Sequence, residues 1–120
     1  MSWVKLDDSF FTHRKVVGLT KDAKLFFLAS LALASSQMTD GVLSDGSIRT
    51  VAGMLGIKAK TASAELVTAG LWHTVGHGCD SDRCETQPPA GGYLIHDYLE
   101  YQPPAVVERA RKDAARERTA

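Results

Sequence analysis

A mainly helical domain carrying one small β-hairpin is the fold class that the sequence predicts. Three observations carry it: apolar residues at helical spacing from Leu25 onward, two short amphipathic runs closed by Gly56 and Gly70, and β-prone stretches at 71–72 and 92–96 flanking a polar loop. A chain of 120 residues makes a single domain, because at this size about two-thirds of the unfolded surface can enter one core. Hydrophobic residues at 44% and charged residues at 23% exclude a disordered chain. Lys plus Arg and Asp plus Glu both number 14, so the whole molecule exerts no long-range pull on nucleic acid and any such pull must come from a local patch.

The elements are taken in chain order. Residues 1–19 mix Trp3, Val4, Leu6, Phe10, Phe11, Val16, Val17 and Leu19 with charges, and read as an extended entry leading to a helical turn over 13–17. Thr20 is an N-cap candidate with Asp22 in the first turn, and Leu25, Phe26, Leu28, Ala29, Ala32 and Leu33 then recur at helical spacing. Phe27 and Leu31 fall on the opposite face, so this helix is expected to be central and buried nearly all round. Thr39-Asp40-Gly41 is a turn, and 42–44 allow only a very short strand. Ser47 is expected to cap a helix over 48–55 with Ile48, Val51, Ala52 and Leu55 on one face and Gly56 as its stop. A second short helix spans 59–69, with Ala62, Leu66 and Ala69 inward, Lys58, Lys60, Thr61, Ser63 and Thr68 outward, and Gly70 as its stop. The β-prone stretches then pair as a hairpin with a long polar tip over 73–91. Residues 97–104 turn through two prolines, with Tyr98 and Tyr101 placed to pin the C-terminal segment, and 105–120 carry alternating charge with almost no apolar face. The organisation is therefore a domain over 1–104 and a charged helix or tail over 105–120.

Helix, minimal strand, helix, tight turn, helix, hairpin is the order of a winged helix-turn-helix, in which the second helix of the pair enters the major groove and the wing lies along the backbone or minor groove. The outward residues of that helix are short or basic. Arg49, Lys58, Lys60, Thr61 and Ser63 are the candidate contacts to double-stranded DNA. Across 45–72 the cations Arg49, Lys58 and Lys60 face only Asp45 and Glu65, a small positive balance. The same fold also serves as a protein-binding adaptor that holds a host or phage partner, with the charged tail as its contact. The two differ in salt dependence, which is steep for phosphate binding.

The wording of several segments adds to this. SWVKLDDSFFTHRKVVGL, TDGVL, LVTAGLW and GYLIHDYLEYQPP together resemble the winged-helix domain of actinobacterial phage and prophage proteins similar to replication initiators or replisome organisers. The resemblance spans positions 2–104 and implies a DNA-associated role in replication or transcription regulation of a mobile element. A replisome or host protein is a further partner it implies, and homodimerisation is compatible with it.

The tip of the hairpin holds the densest chemistry. His73, His77, Cys79 and Cys84 place two imidazoles and two thiols within one loop that has almost no apolar residues of its own, and a tetrahedral structural zinc takes this ligand set. His96, on the far strand, is an alternative to His73. A loop with free thiols and a Cys79–Cys84 disulfide are the competing readings. The metal is preferred because an ordered polar tip otherwise lacks a source of stability. Catalytic zinc is disfavoured: Thr74 stands where a hydrolytic His-Glu-x-x-His motif needs glutamate, and the deaminase His-x-Glu and Cys-x-x-Cys pair is absent.

The remaining candidates read as structural. His13 beside Arg14 and Lys15 is a solvated basic surface, Asp7-Asp8 a turn or cap, and Phe26, Phe27, Trp72 and Tyr93 core residues and not base-stacking platforms. No phosphate loop or nucleophile elbow is present, so no enzyme is expected. The longest apolar run, 25–34, has ten residues where a membrane span needs about twenty. Ser35-Ser36 after it imitates a leader cleavage site, but Asp7, Asp8 and Asp22 precede it, unlike a short basic leader. A cytoplasmic protein with reduced cysteines and no membrane contact is expected.

Overall fold

The computed structural model describes residues 4–6, 8–37, 39–79, 81, 84, 86–98 and 105–119. Trp3, Asp7, Tyr101 and the proline turn after Tyr98 lie outside the described residues. A 3₁₀ turn at Phe10–Thr12 leads into α1 (Arg14–Val17), α2 (Lys21–Gln37), β1 (Val42–Leu43), α3 (Asp45–Leu55), α4 (Ala59–Thr68), β2 (Trp72–His73), β3 (Tyr93–Ile95) and α5 (Ala105–Thr119). The three strands form one antiparallel sheet in the order β1-β3-β2, with Val42 opposite Leu94 and Trp72 opposite Ile95. The chain is thus mainly helical with a small sheet. The minimal strand at 42–43 does not stand alone but closes the outer edge of the hairpin. No helix among the described residues is long and apolar enough to cross a membrane.

Helix α2 is central, packed against α3, α4 and β1. Its buried face is Ala23, Phe26, Phe27, Ser30, Leu31, Ala34 and Ser35, which is rotated from the row that apolar spacing selects: Leu25 is 45% exposed and Ala32 is also at the surface. Two serines thus sit among the core positions of this helix. The Ser30 hydroxyl is satisfied by donating to the Phe27 carbonyl at 2.6 Å, so a small polar residue enters the core without an orphaned group and lets neighbouring elements approach closely. Phe26 and Trp72 meet at 5.4 Å between ring centroids and Trp72 and Tyr93 at 4.9 Å, which joins α2 to the sheet through the buried indole. Tyr98 is buried against the same core.

The N-terminus of α2 is held from outside the helix. Thr20 caps it by accepting from the Ala23 amide at 3.2 Å, while its own amide and hydroxyl donate to the two carboxylate oxygens of Glu65 at 2.7 and 2.8 Å. Glu65 belongs to α4. The carboxylate therefore satisfies a helix end, complements its positive pole and fixes α4 across α2 in one contact.

The helix pair begins earlier than the Ser47 cap predicts. Ser44 is the cap, accepting from the Ser47 amide at 3.2 Å, and Asp45 occupies the first turn where a carboxylate complements the helix pole. Gly56 adopts φ 69°, and the Ile57 amide returns to the Ala52 carbonyl at 2.9 Å, a Schellman closure that only a residue free to enter the left-handed region makes cheaply. The stop after α4 is built the same way, with Leu71 returning to Leu66 at 3.0 Å. Helix α4 buries Ala62, Ser63 and Leu66. Ser63 is only 1% exposed and so is not an outward residue: it shares the inward row with Ala62 and Leu66, where a small side chain is needed for close packing. Leu55, expected inward, is 38% exposed at the helix end.

Glu65→Ala is expected to lower unfolding free energy by about 1–2 kcal/mol, because it removes a cap contact and leaves donors unpaired. Urea denaturation of Glu65→Ala, Thr20→Ala and the double variant checks this; the double variant should lose clearly less than the sum of the singles.

Candidate metal centre

Four ligand atoms converge at the base of the hairpin loop. His73 ends β2, His96 comes directly after β3, and Cys79 and Cys84 belong to the loop between them. The side-chain ligand atoms of all four lie within 4.8 Å of one another. His73 Nε2 is 2.9 Å from His96 Nδ1, and that nitrogen is 3.7 Å from Cys79 Sγ and 3.5 Å from Cys84 Sγ. Metal bonds of about 2.0–2.3 Å at tetrahedral angles imply ligand separations of about 3.3 to 3.8 Å, so these side chains already stand close to the corners of a four-coordinate site.

Strand pairing places the two histidines. Trp72 is opposite Ile95, His73 is opposite Leu94 and the His96 amide donates to the Leu71 carbonyl at 2.8 Å, which puts 73 and 96 diagonal to each other across the strand pair. Cys84 is 1% exposed, whereas Cys79 is half-buried at the mouth. The cysteines are free thiols, not a disulfide.

Asp97 organises the site from behind. Its Oδ2 lies 3.2 Å from His96 Nε2, a partner that favours the tautomer with the proton on that nitrogen and leaves Nδ1 to face the cluster. Its backbone amide donates to Cys84 Sγ at 3.3 Å, an interaction that favours the thiolate form. Its Oδ1 accepts from the Ser81 hydroxyl. To direct all three groups, Asp97 takes φ 51°, in the left-handed region where Asp is tolerated better than most residues.

Electrostatics favour the neutral forms of Cys84 and His73. Burial pushes the Cys84 thiol up to about 11, with the neighbouring Cys79 and Asp97 adding to the rise and the Asp97 amide opposing it. Burial also lowers the pKa of His73, helped by His77, His96 and Lys15 and opposed by Asp97. A neutral imidazole has a free lone pair, and a divalent cation beside the thiols supplies the positive charge that stabilises thiolate.

His77 is not in the group. Its Nδ1 accepts from the Cys79 amide at 3.2 Å, its Nε2 lies 3.2 Å from the Thr86 carbonyl, and its ring stacks on His73 with centroids 4.4 Å apart. The loop turns at Gly76 and carries His77 to the outer side, where it organises the tip: the Gly76 amide donates to Gln87 Oε1 at 2.7 Å, and Gln87 Nε2 donates to the His77 carbonyl at 3.2 Å. His96 takes the place expected of His77, not that of His73. The signal for this lies in strand register, which brings a residue before the loop beside one after it; sequence proximity within the loop misleads.

The candidate contacts on the helix pair are dispersed differently. Lys58, Lys60 and Thr61 are exposed on and just before α4, Arg49 is exposed on α3 but lies 3.1 Å from Asp45, and Ser63 is buried. Arg14 and Lys15, not among the expected contacts, border a groove with Ala64, Glu65 and Thr68 along the C-terminal half of α4.

No protein-family model matches the chain, and neither the curated proteins nor the solved structures give a match.

Titration with cobalt(II), which reports tetrahedral thiolate ligation by its visible and charge-transfer absorption, separates the two ligand sets. Cys84→Ser and His96→Ala should lose that spectrum, while His77→Ala should retain it. Asp97→Ala should weaken binding by about 10 to 100-fold, the usual range for removing a group that orients a ligand. Retention of the spectrum in His96→Ala together with its loss in His77→Ala would restore the loop-only set.

Proposed function

We propose that the chain is a winged helix-turn-helix protein that binds double-stranded DNA through α4, with a structural zinc clipping the wing to its base. The observation that carries this is the surface of α4. Its only acid, Glu65, is turned onto Thr20, so the face left to solvent offers Lys60, Thr61, Ala64 and Thr68, with Lys58 at its start and Arg14 and Lys15 beside its end. Short side chains permit a helix to sit deep in a major groove, and cations at both ends of it suit the two flanking phosphate backbones. The β2–β3 hairpin follows α4 directly in the chain, an order that supports reading it as the wing.

Zinc is the metal that this donor set suits. Two thiolates and two imidazoles at tetrahedral spacing favour it over hard cations, which prefer oxygen. The role is structural, because four protein ligands leave no open position for substrate chemistry. The resemblance to phage and prophage winged-helix proteins supports a place in replication initiation or in regulation of a mobile element.

An adaptor reading draws support from Met54 and Leu55, which stand 80% and 38% exposed at the tip of α3. It predicts protein binding in place of salt-dependent binding to phosphate.

Fluorescence anisotropy with a labelled random duplex tests the DNA reading across a salt series. For the zinc-loaded chain, log affinity should fall linearly with log salt, with a slope of about 0.9 per phosphate neutralised. Lys58→Glu with Lys60→Glu should therefore flatten that slope by about 2 and weaken binding at low salt by more than about tenfold. Thermal unfolding of that variant should match the parent, since both lysines are exposed. Salt-independent binding, or none, would overturn the assignment. Chelation of the metal should lower the unfolding temperature and weaken DNA binding together.

A further inference from the structure

A second candidate site borders His96 and Asp97. A cavity of about 290 Å³ opens between the N-terminal segment, α1, α2 and the end of β3. Its inner wall is apolar, formed by Phe10, Val16, Phe27, Leu31, Leu71 and Ile95. Phe10 and Phe27 stack there with centroids 5.7 Å apart and planes 9° from parallel. Among the described lining residues the mouth is polar and mainly cationic, with Lys5, Arg14 and Lys15 against one carboxylate, that of Asp97. That carboxylate is engaged by Ser81 and His96. Among the described residues, neither Arg14 nor Lys15 is in an ion pair.

These features restrict the occupant. An apolar wall demands an apolar body, since a polar ligand would leave its own groups unpaired there. The excess of cations at the mouth favours an anion, and Arg14 with Lys15 matches a carboxylate held at the entrance. The volume equals about ten waters, room for roughly a dozen non-hydrogen atoms, which excludes a nucleotide or a folded peptide segment. Aromatic walls favour an aromatic body through edge or offset contacts.

We propose that this cavity binds a small aromatic monocarboxylate, with its ring against Phe10 and Phe27 and its carboxylate at Arg14 and Lys15. The cavity borders His96 and shares Arg14 and Lys15 with the face offered to DNA, but its apolar wall is separate from α4 and ligand binding is read without DNA, so its failure and that of the DNA reading are distinguishable.

Titration of the full, zinc-loaded chain with 2-naphthoate tests it, read by ligand fluorescence and by NMR of the aromatic and methyl groups. Saturable one-to-one binding is expected, with shifts centred on the Phe10 and Phe27 rings and the Val16 and Ile95 methyls. The neutral 2-naphthamide should bind at least about tenfold more weakly, because it forgoes the charge-assisted contact. Arg14→Glu with Lys15→Glu should erase that preference; should this pair disturb folding, Arg14→Gln should reduce it in a folded chain. No saturation at millimolar 2-naphthoate, equal binding of acid and amide, or shifts centred elsewhere would each overturn the proposal.

Discussion

Glu65 and Thr20, 45 residues apart in the chain, make the contact on which the arrangement of the helices turns. An N-terminal helix end has donors that must find acceptors, and α2 finds them in a side chain of α4 instead of relying only on its own cap. Two consequences arise from one carboxylate. The crossing of α4 over α2 is fixed by directional bonds at the rim as well as by burial of Ala62, Ser63 and Leu66, and the acid is withdrawn from a face that otherwise presents lysines and small side chains. Had the same carboxylate remained free on α4, it would have opposed any approach of phosphate.

Much of this is legible in the sequence where a local rule has a single outcome. Gly56 and Gly70 mark helix ends because a Schellman closure needs a left-handed residue, and both helices stop there. The order of elements is legible too, although the pairing of 42–43 with β3 needs long-range register that a two-residue strand cannot announce. The failures lie where polarity stands as a proxy for exposure. Ser30, Ser35 and Ser63 are buried, because a hydroxyl that bonds its own helix backbone, as that of Ser30 does, behaves as a small packing group, and Leu25 is correspondingly left in solvent. The cap at Ser44 instead of Ser47 is a choice between two serines three residues apart, decided by which one leaves Asp45 in the first turn.

The metal ligands show the same division. Three of the four are legible from residue type and crowding within the loop, and the fourth, His96, is legible only as an alternative to His73, whereas it joins His73 and leaves His77 outside, because the loop folds back on its base. A polar connection of this length between β2 and β3 gains little from burial, so its ends are held by the strand pair and its interior by a few polar contacts from Gln87, His77 and Ser81. A metal held by ligands from both strand ends and from the loop would tie these parts to one point. A set confined to 73–84 would order the tip but leave it hinged on β2 alone; inclusion of His96 would tie it to β3, which is itself the middle strand of the sheet. Loop order and sheet order would thereby become one cooperative unit.

Asp97 shows how closely the metal centre and the neighbouring cavity constrain each other. Its backbone must enter the left-handed region to aim an amide at Cys84, which glycine, asparagine or aspartate can do at low cost. Glycine would give the conformation but leave His96 unoriented. Asparagine would keep a carbonyl for the His96 proton, yet it would remove the negative charge that strengthens that bond and that opposes the lowering of the His73 pKa. Aspartate alone meets both demands, and its charge then faces Lys5, Arg14 and Lys15 across the mouth of the cavity. The carboxylate that holds the His96 imidazole and the Ser81 hydroxyl thus also lines the adjoining mouth, so a change at Asp97 reaches the thiol–imidazole cluster and the cavity together.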